Sequence, residues 1–199
     1  MGGRRARLER LTRRELPFMP DLAFARAELE RYSPRDALQR TARADMLAFI
    51  DAHPLDAHMR TCVEGHLTAS ALVIDEARGA ALLTFHKKLE RWLQLGGHCD
   101  GDANLAAAAL REAEEESGID GLAIDPTPID LDIHLIPARK DEPAHLHLDT
   151  RFVVFAPAGA QAALSDESLK LRWFTPDEMR AIETDDSVRR LFEHVFSAS

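Results

Sequence analysis

The segment GGHCDGDANLAAAALREAEEESGI, residues 96–119, decides the fold of this chain. Its alanine run favours a helix, and we predict one over residues 105–117. Gly118, directly after that run, suits the left-handed conformation with which many helices end. Gly96 and Gly97 follow the strand-like run WLQL and allow a sharp turn whose carbonyl can point toward an ion. The segment is therefore predicted to pass from a strand through a loop into a helix.

Three glutamates in the second half of this helix carry the predicted chemistry. Glu112, Glu115 and Glu116 stand at i, i+3 and i+4, so on a helix their carboxylates share one face. Three like charges repel one another, and a cation between them would remove that repulsion. Oxygen-only ligation suits Mg²⁺ or Mn²⁺, and either ion would bridge the carboxylates to substrate phosphates. The alternative, from the glutamates alone, is a solvated acidic helix face.

The spacing in this segment resembles the signature of the Nudix hydrolase family. That signature is glycine, five variable residues, glutamate, seven variable residues, and then Arg-Glu-aliphatic-any-Glu-Glu-any-Gly-aliphatic. Gly97 and residues 111–119, REAEEESGI, match it in order and spacing. One position departs, since Ala103 stands where the family has its first glutamate, and Ala113 is a small occupant of the aliphatic place. The resemblance extends over about residues 66–199.

The resemblance implies roles for individual residues. Glu115 and Glu116 would be metal ligands, and the carbonyl of Gly96 would be a further ligand. Glu112 would be the general base or a further member of the metal site, and Arg111 would orient it by a bidentate contact. Family members attack phosphorus with a metal-activated water. A bound ion can lower the pKa of water from 15.7 to about 7 in the most favourable sites.

Because Ala103 replaces the family's first glutamate, two hypotheses about function stay open. The first is a metal-dependent pyrophosphohydrolase that cleaves a phosphoanhydride in a nucleoside diphosphate linked to another moiety. Asp100 and Asp102, in the same loop, could then supply the missing acceptor. The second is a nucleotide-binding or sensing module that keeps the Nudix fold with weakened or no catalysis. Nucleotide triphosphates, nucleotide sugars, dinucleoside polyphosphates and coenzymes share the same anhydride, so the sequence does not choose among them.

On both sides of this segment the chain alternates between strand-like and helical runs. The strand-like runs are rich in branched or aromatic residues and are separated by Asp, Gly and Lys turn signals. The alternation is not strict, which favours a mixed sheet covered by helices. We therefore predict an α+β fold, a Nudix-like α/β/α sandwich. The predicted strands are residues 66–75, 81–88, 91–95, 131–138, 145–156 and 169–174, and the last two helices begin at Thr175 and Ser187.

The first 62 residues are predicted to form a helical extension before a Nudix hydrolase domain at residues 63–199. Residues 21–31 carry apolar side chains at helical spacing. Ser33 and Pro34 are predicted to be the N-cap and first position of a second helix. These helices could pack on a second copy of the chain in a homodimer. The apolar stripe of the second helix is Leu38, Ala42, Met46 and Ile50, and its end is predicted at His53-Pro54.

A second candidate site lies in the strand-like run HLHLD. His145, His147 and Asp149 alternate and so share one face of a strand. Such a triad could hold a transition metal independently of the glutamates, although polar residues on a solvent-facing strand give the same pattern. We prefer the hypothesis that this face borders the substrate pocket. His134 joins it if the two strands pair, and His98 is either a turn residue or a pocket-lining donor.

Composition and charge exclude several classes of protein. With 199 residues, 45% of them hydrophobic, the chain can bury a substantial core. The net charge of -9 argues against nonspecific nucleic-acid binding. The longest apolar runs are too short for a membrane span, and the basic N-terminus lacks the apolar stretch of a secretory signal. Cys62 and Cys99 are expected to be reduced thiols of a cytoplasmic protein.

Overall fold

A mixed β-sheet forms the middle layer of the protein. The computed structural model describes residues 9–86, 89–139, 142–163 and 170–196, and eight strands of this part join in one sheet. The two longest strands lie side by side in parallel, and the other described pairs are antiparallel. The strands are β1 (Gly65–Asp75), β2 (Ala80–His86), β3 (Arg91–Leu93), β4 (Leu95–His98), β5 (Ala123–Ile124), β6 (Asp130–Ile136), β7 (His145–Phe155) and β8 (Leu171–Phe174).

Helices cover both faces of this sheet. One face packs against α1, α2 and α3, and the other against α4 and α5. Every residue of β1 is buried because alternate side chains of the strand enter the two cores. The predicted α/β/α sandwich with a mixed sheet is confirmed. The helices are α1 (Leu22–Arg31), α2 (Ala37–Ala52), α3 (Leu105–Ser117), α4 (Pro176–Met179) and α5 (Asp186–Phe196).

The N-terminal helices share one core with the sheet. Leu29 of α1 and Met46 of α2 are fully buried in the same cluster as Phe152 of β7. The side chain of Gln39 donates to the carbonyl of Leu131 and accepts from its N–H, each at 2.9 Å, which joins α2 to β6. The extension is therefore part of the packed body, and the proposed domain boundary between residues 62 and 63 stays a prediction.

Two predictions about α2 were wrong. The helix begins at Ala37 instead of Pro34, because the carboxylate of Asp36 caps it by accepting the N–H of Gln39 at 2.8 Å. Leu38, which we placed on the buried stripe, is 76% exposed, whereas Gln39 is only 2% exposed. The hydrogen bonds of Gln39 to Leu131 turn that side chain inward and leave Leu38 outside the buried face. The predicted end at His53 is confirmed, since that residue is the C-cap.

The other predicted elements agree with the structure in type and position, with three differences. The run at residues 91–95 divides between β3, which pairs with β2, and the start of β4, which pairs with β1. The short strand β5 and a 3-10 turn at Arg13–Glu15 were not predicted. Residues 87, 88 and 169 of the predicted strands lie outside the described residues. In the described part of the chain, every helix is too short or too polar to cross a bilayer.

Candidate active site

The passage from β4 into α3 is fixed at both ends of the helix. The side chain of Asn104 accepts the N–H of Ala107 at 3.0 Å, which caps the start of α3. Glu28 of α1 adds a second cap by accepting the N–H of Leu105 at 3.0 Å. Gly118 ends the helix in the left-handed conformation at φ 62°. The N-terminal extension thus helps to position the helix that carries the glutamates.

Two glutamates of α3 lie directly against the double glycine of β4. A Cβ atom on Gly97 would lie 2.3 Å from Oε2 of Glu112, so a side chain at this position would displace that carboxylate. The N–H of Gly96 donates to Oε2 of Glu116 at 3.1 Å. Gly96 has φ 153° and approaches Ser70 so closely that a side chain would clash. The strand and the two carboxylates therefore meet at a fixed place.

Arg111 orients Glu112 and ties it to the strand. Its Nη2 donates to the carbonyl of His98 at 2.6 Å and lies 3.0 Å from Oε1 of Glu112. Burial raises the pKa of Glu112, Arg111 opposes that rise, and Glu115 adds to it. Asp100 lies 3.9 Å from Nη1 of Arg111 and binds the guanidinium of Arg60 at 2.7 and 3.0 Å. The hydrogen bond from Arg60 lowers the pKa of Asp100.

Two other acidic residues of this segment do not contact the double glycine: Glu115 is exposed to solvent, and Asp102 binds backbone N–H groups. Glu115 is exposed, and the carboxylates of Glu112, Glu115 and Glu116 do not form one of the described triplets gathered within 4.8 Å. Ala103 is fully buried. Asp102 accepts the N–H groups of Met19 and Asn104, so its carboxylate holds the loop against the N-terminal extension.

Five histidines meet on the other side of β4. His66 and His147 face each other in the parallel register of β1 and β7, with ring centroids 4.9 Å apart. The ring of His98 lies 5.0 Å from His66 and 5.2 Å from His147. The ring of His145 lies 5.0 Å from that of His66. His134 pairs with His147 across β6 and β7, and these two rings are 5.5 Å apart. The strands therefore bring together all four predicted histidines and add His66.

Most of these rings border a cavity of about 400 Å³. His134 is exposed, and its Nδ1 lies 3.1 Å from Asp132. Asp149 shares the histidine face of β7 but is 2% exposed, and Ser70 and Arg151 donate to its carboxylate. The residues that line the cavity are Arg60, Cys62, Val63, His66, His86, His98, Ile136, Arg139, Glu142, Pro143, His145 and His147.

Crowding and burial keep the central rings neutral near pH 7. Burial lowers the pKa of His147 to about 2, and the rings of His66 and His98 add to the lowering. Burial also lowers the pKa of His98 to about 4, with Arg60 as the next cause. The pKa of His66 falls through burial and then His145. These imidazoles therefore present free lone pairs instead of positive charge.

Sequence reasoning missed three residues that organise this region. His66 gave a usable signal, since it begins a strand-like run and has the same polar character as the predicted histidines. Arg151 gave another, because a charge two residues from Asp149 in an apolar strand indicates a buried ion pair. Its guanidinium binds Asp149 at 2.9 Å. Arg60 precedes any predicted strand, and nothing in the sequence links it to Asp100.

The family follows from a comparison of this sequence with family models. The model described as NUDIX domain matches residues 65–195. The chain belongs to the Nudix family. This Nudix protein is therefore a hydrolase of the pyrophosphohydrolase class, as the spacing of the segment at residues 96–119 predicted. Comparison with curated protein sequences gave no match.

Solved structures share the fold of this Nudix hydrolase. A NUDIX-family hydrolase from Clostridium perfringens is 20% identical with a TM-score of 0.52, covering 67% of this chain and 97% of that chain. An Ap4A hydrolase from C. elegans is 20% identical with a TM-score of 0.53, covering 66% and 95%. The dihydroneopterin triphosphate pyrophosphohydrolase of E. coli is 16% identical with a TM-score of 0.55, covering 67% and 96%. At these identities the likeness concerns the fold alone.

Proposed function

We propose that this Nudix hydrolase uses Mg²⁺ or Mn²⁺ to cleave a phosphoanhydride in a nucleoside diphosphate linked to another moiety. The observation that carries the proposal is the contact between the double glycine of β4 and two carboxylates of α3. Gly97 leaves space for the carboxylate of Glu112, and the N–H of Gly96 holds Glu116. Both carboxylates are thereby fixed beside one strand end.

The donor set fits a hard divalent cation. Glu112, Glu115, Glu116 and the carbonyl of Gly96 offer only oxygen, which Mg²⁺ and Mn²⁺ prefer. Glu115 is exposed, so its side chain is free to turn toward an ion. We assign these four residues as the metal site. When bound, the ion would polarise the phosphate and acidify a water molecule.

The protein's own residues would position the acid–base chemistry. Nη2 of Arg111 contacts both Oε1 of Glu112 and the carbonyl of His98, which links the carboxylate to β4. Burial raises the pKa of Glu112 and so makes it a better proton acceptor. Glu112 would take the proton of the attacking water, and Arg111 would stabilise the carboxylate between turnovers.

The histidine-lined cavity is our proposed substrate pocket. Its cationic side chains Arg60 and Arg139 suit a phosphate-bearing ligand, and His98 and His147 offer ring nitrogens to it. We also assign His134 and His145 to this surface, with Asp149 behind it. Two structural neighbours are an Ap4A hydrolase and a dihydroneopterin triphosphate pyrophosphohydrolase. Their names support a phosphoanhydride as the bond that is cleaved and leave the substrate open.

The first experiment is a hydrolysis panel. Nucleotide triphosphates, nucleotide sugars, dinucleoside polyphosphates and coenzymes are incubated with the enzyme and Mg²⁺ or Mn²⁺, and released phosphate or nucleoside monophosphate is measured. The Glu112→Gln variant should turn over about 10²- to 10⁴-fold more slowly. Glu114→Gln is the matched control, because Glu114 stands outside the i, i+3, i+4 set and interacts first with Arg13 and Asp120, and only then with Glu115. An unchanged rate in Glu112→Gln would remove that residue as the base.

A second candidate function rests on Ala103. That position is fully buried, and the acidic side chain next to it, Asp102, already accepts two backbone N–H groups. Both proposed substitutes for the family's first glutamate are thus engaged elsewhere, Asp102 with the backbone and Asp100 with Arg60. A nucleotide-binding module with weakened catalysis fits this observation. Tight binding of a nucleotide without product in the panel would favour it.

We place the enzyme in the cytoplasm. Cys62 and Cys99 are both free and buried, which suits a reducing compartment. A homodimer through the N-terminal helices stays a prediction, and light scattering of the purified chain would test it.

A further inference from the structure

We propose that His66, His98 and His147 bind one borderline divalent transition metal ion, with zinc as the leading candidate. The three side chains come from β1, β4 and β7, and one ring nitrogen of each lies within 4.8 Å of the other two. Around tetrahedral zinc, with bonds of about 2.0–2.1 Å, ligand nitrogens are roughly 3.3 Å apart. Small rotations of the three rings would therefore close the site.

His66 supplies an independent reason to place a ligand here. The residue is 4% exposed, and neither ring nitrogen makes a hydrogen bond of good geometry within the described residues, although the backbone of Cys62 is near enough to raise its pKa. A buried polar group without a partner destabilises the fold, so such atoms are rare and call for an explanation. A metal ion between the three rings would coordinate one of these nitrogens. The unsatisfied ring and the converging histidines thus point to the same place.

The chemistry of the donors selects the class of ion. Three imidazole nitrogens suit zinc, cobalt, nickel or copper, whereas Mg²⁺ prefers oxygen. Asp149, which we had grouped with the histidines, is held by Ser70 and Arg151 and stays outside the triad. Three protein ligands leave a coordination position open, as in catalytic zinc sites. The open position would face the cavity, where a water molecule or an anionic oxygen near Arg139 would be the fourth ligand.

This site is distinct from the glutamates of α3. Successive residues of a strand point to opposite faces, so the side chain of His98 lies across β4 from the position at Gly97 that contacts Glu112. The charge of Arg60 beside the histidines is balanced by Asp100 at 2.7 Å. The zinc site uses none of these glutamates, so zinc binding is measured without hydrolysis, although the same cavity is our proposed substrate pocket.

Zinc binding by the full chain is the direct test. The protein is stripped with a chelator, loaded with ZnCl₂, dialysed and analysed for metal per chain, and CoCl₂ is used as a spectroscopic probe. We expect one zinc per chain, and a strong visible cobalt spectrum typical of four or five ligands. His147→Asn should weaken zinc binding at least about 100-fold, since even loss of an outer partner costs 10- to 100-fold. Glu112→Gln should keep the zinc while losing hydrolysis.

Two variants act as controls. His134→Asn changes a ring that borders the cluster from outside the triad, and its zinc affinity should fall far less than that of His147→Asn. Cys62→Ser tests a second triplet, His53, Cys62 and Glu64. Wild-type protein that retains no zinc, equal loss in His134→Asn, or loss confined to Cys62→Ser would overturn the proposal. His66→Asn should lose zinc as His147→Asn does. If His66→Asn fails to fold, His147→Asn and the cobalt spectrum of the wild type still decide the question.

Discussion

Glu28 links the N-terminal extension to the helix of the active site, and its replacement by glutamine tests that link. The residue is buried on α1, and its carboxylate accepts the N–H of Leu105 at the start of α3. Burial raises the pKa of Glu28 to about 7, while the N–H groups of Leu105 and Ala106 oppose the rise. Ionisation of this carboxyl therefore works against the folded state.

The magnitude follows from linkage between protonation and folding. A carboxyl whose pKa is raised in the fold contributes stability that is fully present below its ordinary pKa of 4.5. That contribution falls as pH rises and is lost above about pH 7. Each unit of difference in pKa corresponds to 1.36 kcal/mol, so the total is about 3 kcal/mol, of which about 2 to 3 kcal/mol is lost between pH 5 and pH 8. Glu28→Gln cannot ionise and should lack this loss.

The assay is urea unfolding of the wild type and the variant at pH 5 and pH 8. Relative to Glu28→Gln, the wild type should lose about 2 to 3 kcal/mol of unfolding free energy between these pH values. Glu30→Gln is the matched control, because Glu30 lies on the exposed side of α1 with half of its side chain accessible. Its pH dependence should equal that of the wild type. Parallel curves for the wild type and Glu28→Gln would refute the reasoning.

Two further substitutions test the site and the core. Gly97→Ala places a methyl group 2.3 Å from Oε2 of Glu112 and should displace that carboxylate. We expect about a 10²-fold lower kcat/KM, because a small displacement of a catalytic group has that effect. An unchanged kcat/KM would contradict the contact. Arg151→Met leaves the buried carboxylates of Asp130 and Asp149 without this guanidinium, so the unfolding free energy in urea should fall by about 3–5 kcal/mol. A fall below about 1 kcal/mol would show that Arg190, which also binds Asp130, is sufficient.

Local signals allowed much of the fold to be predicted. The bounds of α3 were correct because Asn104 caps its start and Gly118 ends it, and both effects depend only on neighbouring residues. The start of α2 was wrong because Ser33-Pro34 and Asp36 are competing caps, and the packing of Gln39 on Leu131 decides between them. A contact between residues 92 positions apart leaves no local pattern.

Of the two candidate sites, the one built from local spacing was predictable from the sequence, and the one built from distant strands was only partly so. The spacing of Glu112 and Glu116 within one helix predicts their shared position, and the structure places both against β4. The histidine cluster depends on the parallel register that sets His66 opposite His147, which pairs residues 81 positions apart. Such a register is decided by packing on both faces of the sheet, so sequence reasoning found His147 and missed its partner.

Binding of Mn²⁺ to α3 is the most direct measurement of the proposed chemistry. The free ion is followed by electron paramagnetic resonance during titration of His147→Asn protein, so that the histidine cluster does not contribute. Adding Glu116→Gln should weaken Mn²⁺ binding about 10- to 100-fold, because a charged oxygen ligand beside Gly96 is lost. Adding Glu114→Gln, which removes a charge but no proposed ligand, should weaken Mn²⁺ binding much less. Equal affinity in the Glu116→Gln and Glu114→Gln proteins would contradict a cation held by these glutamates.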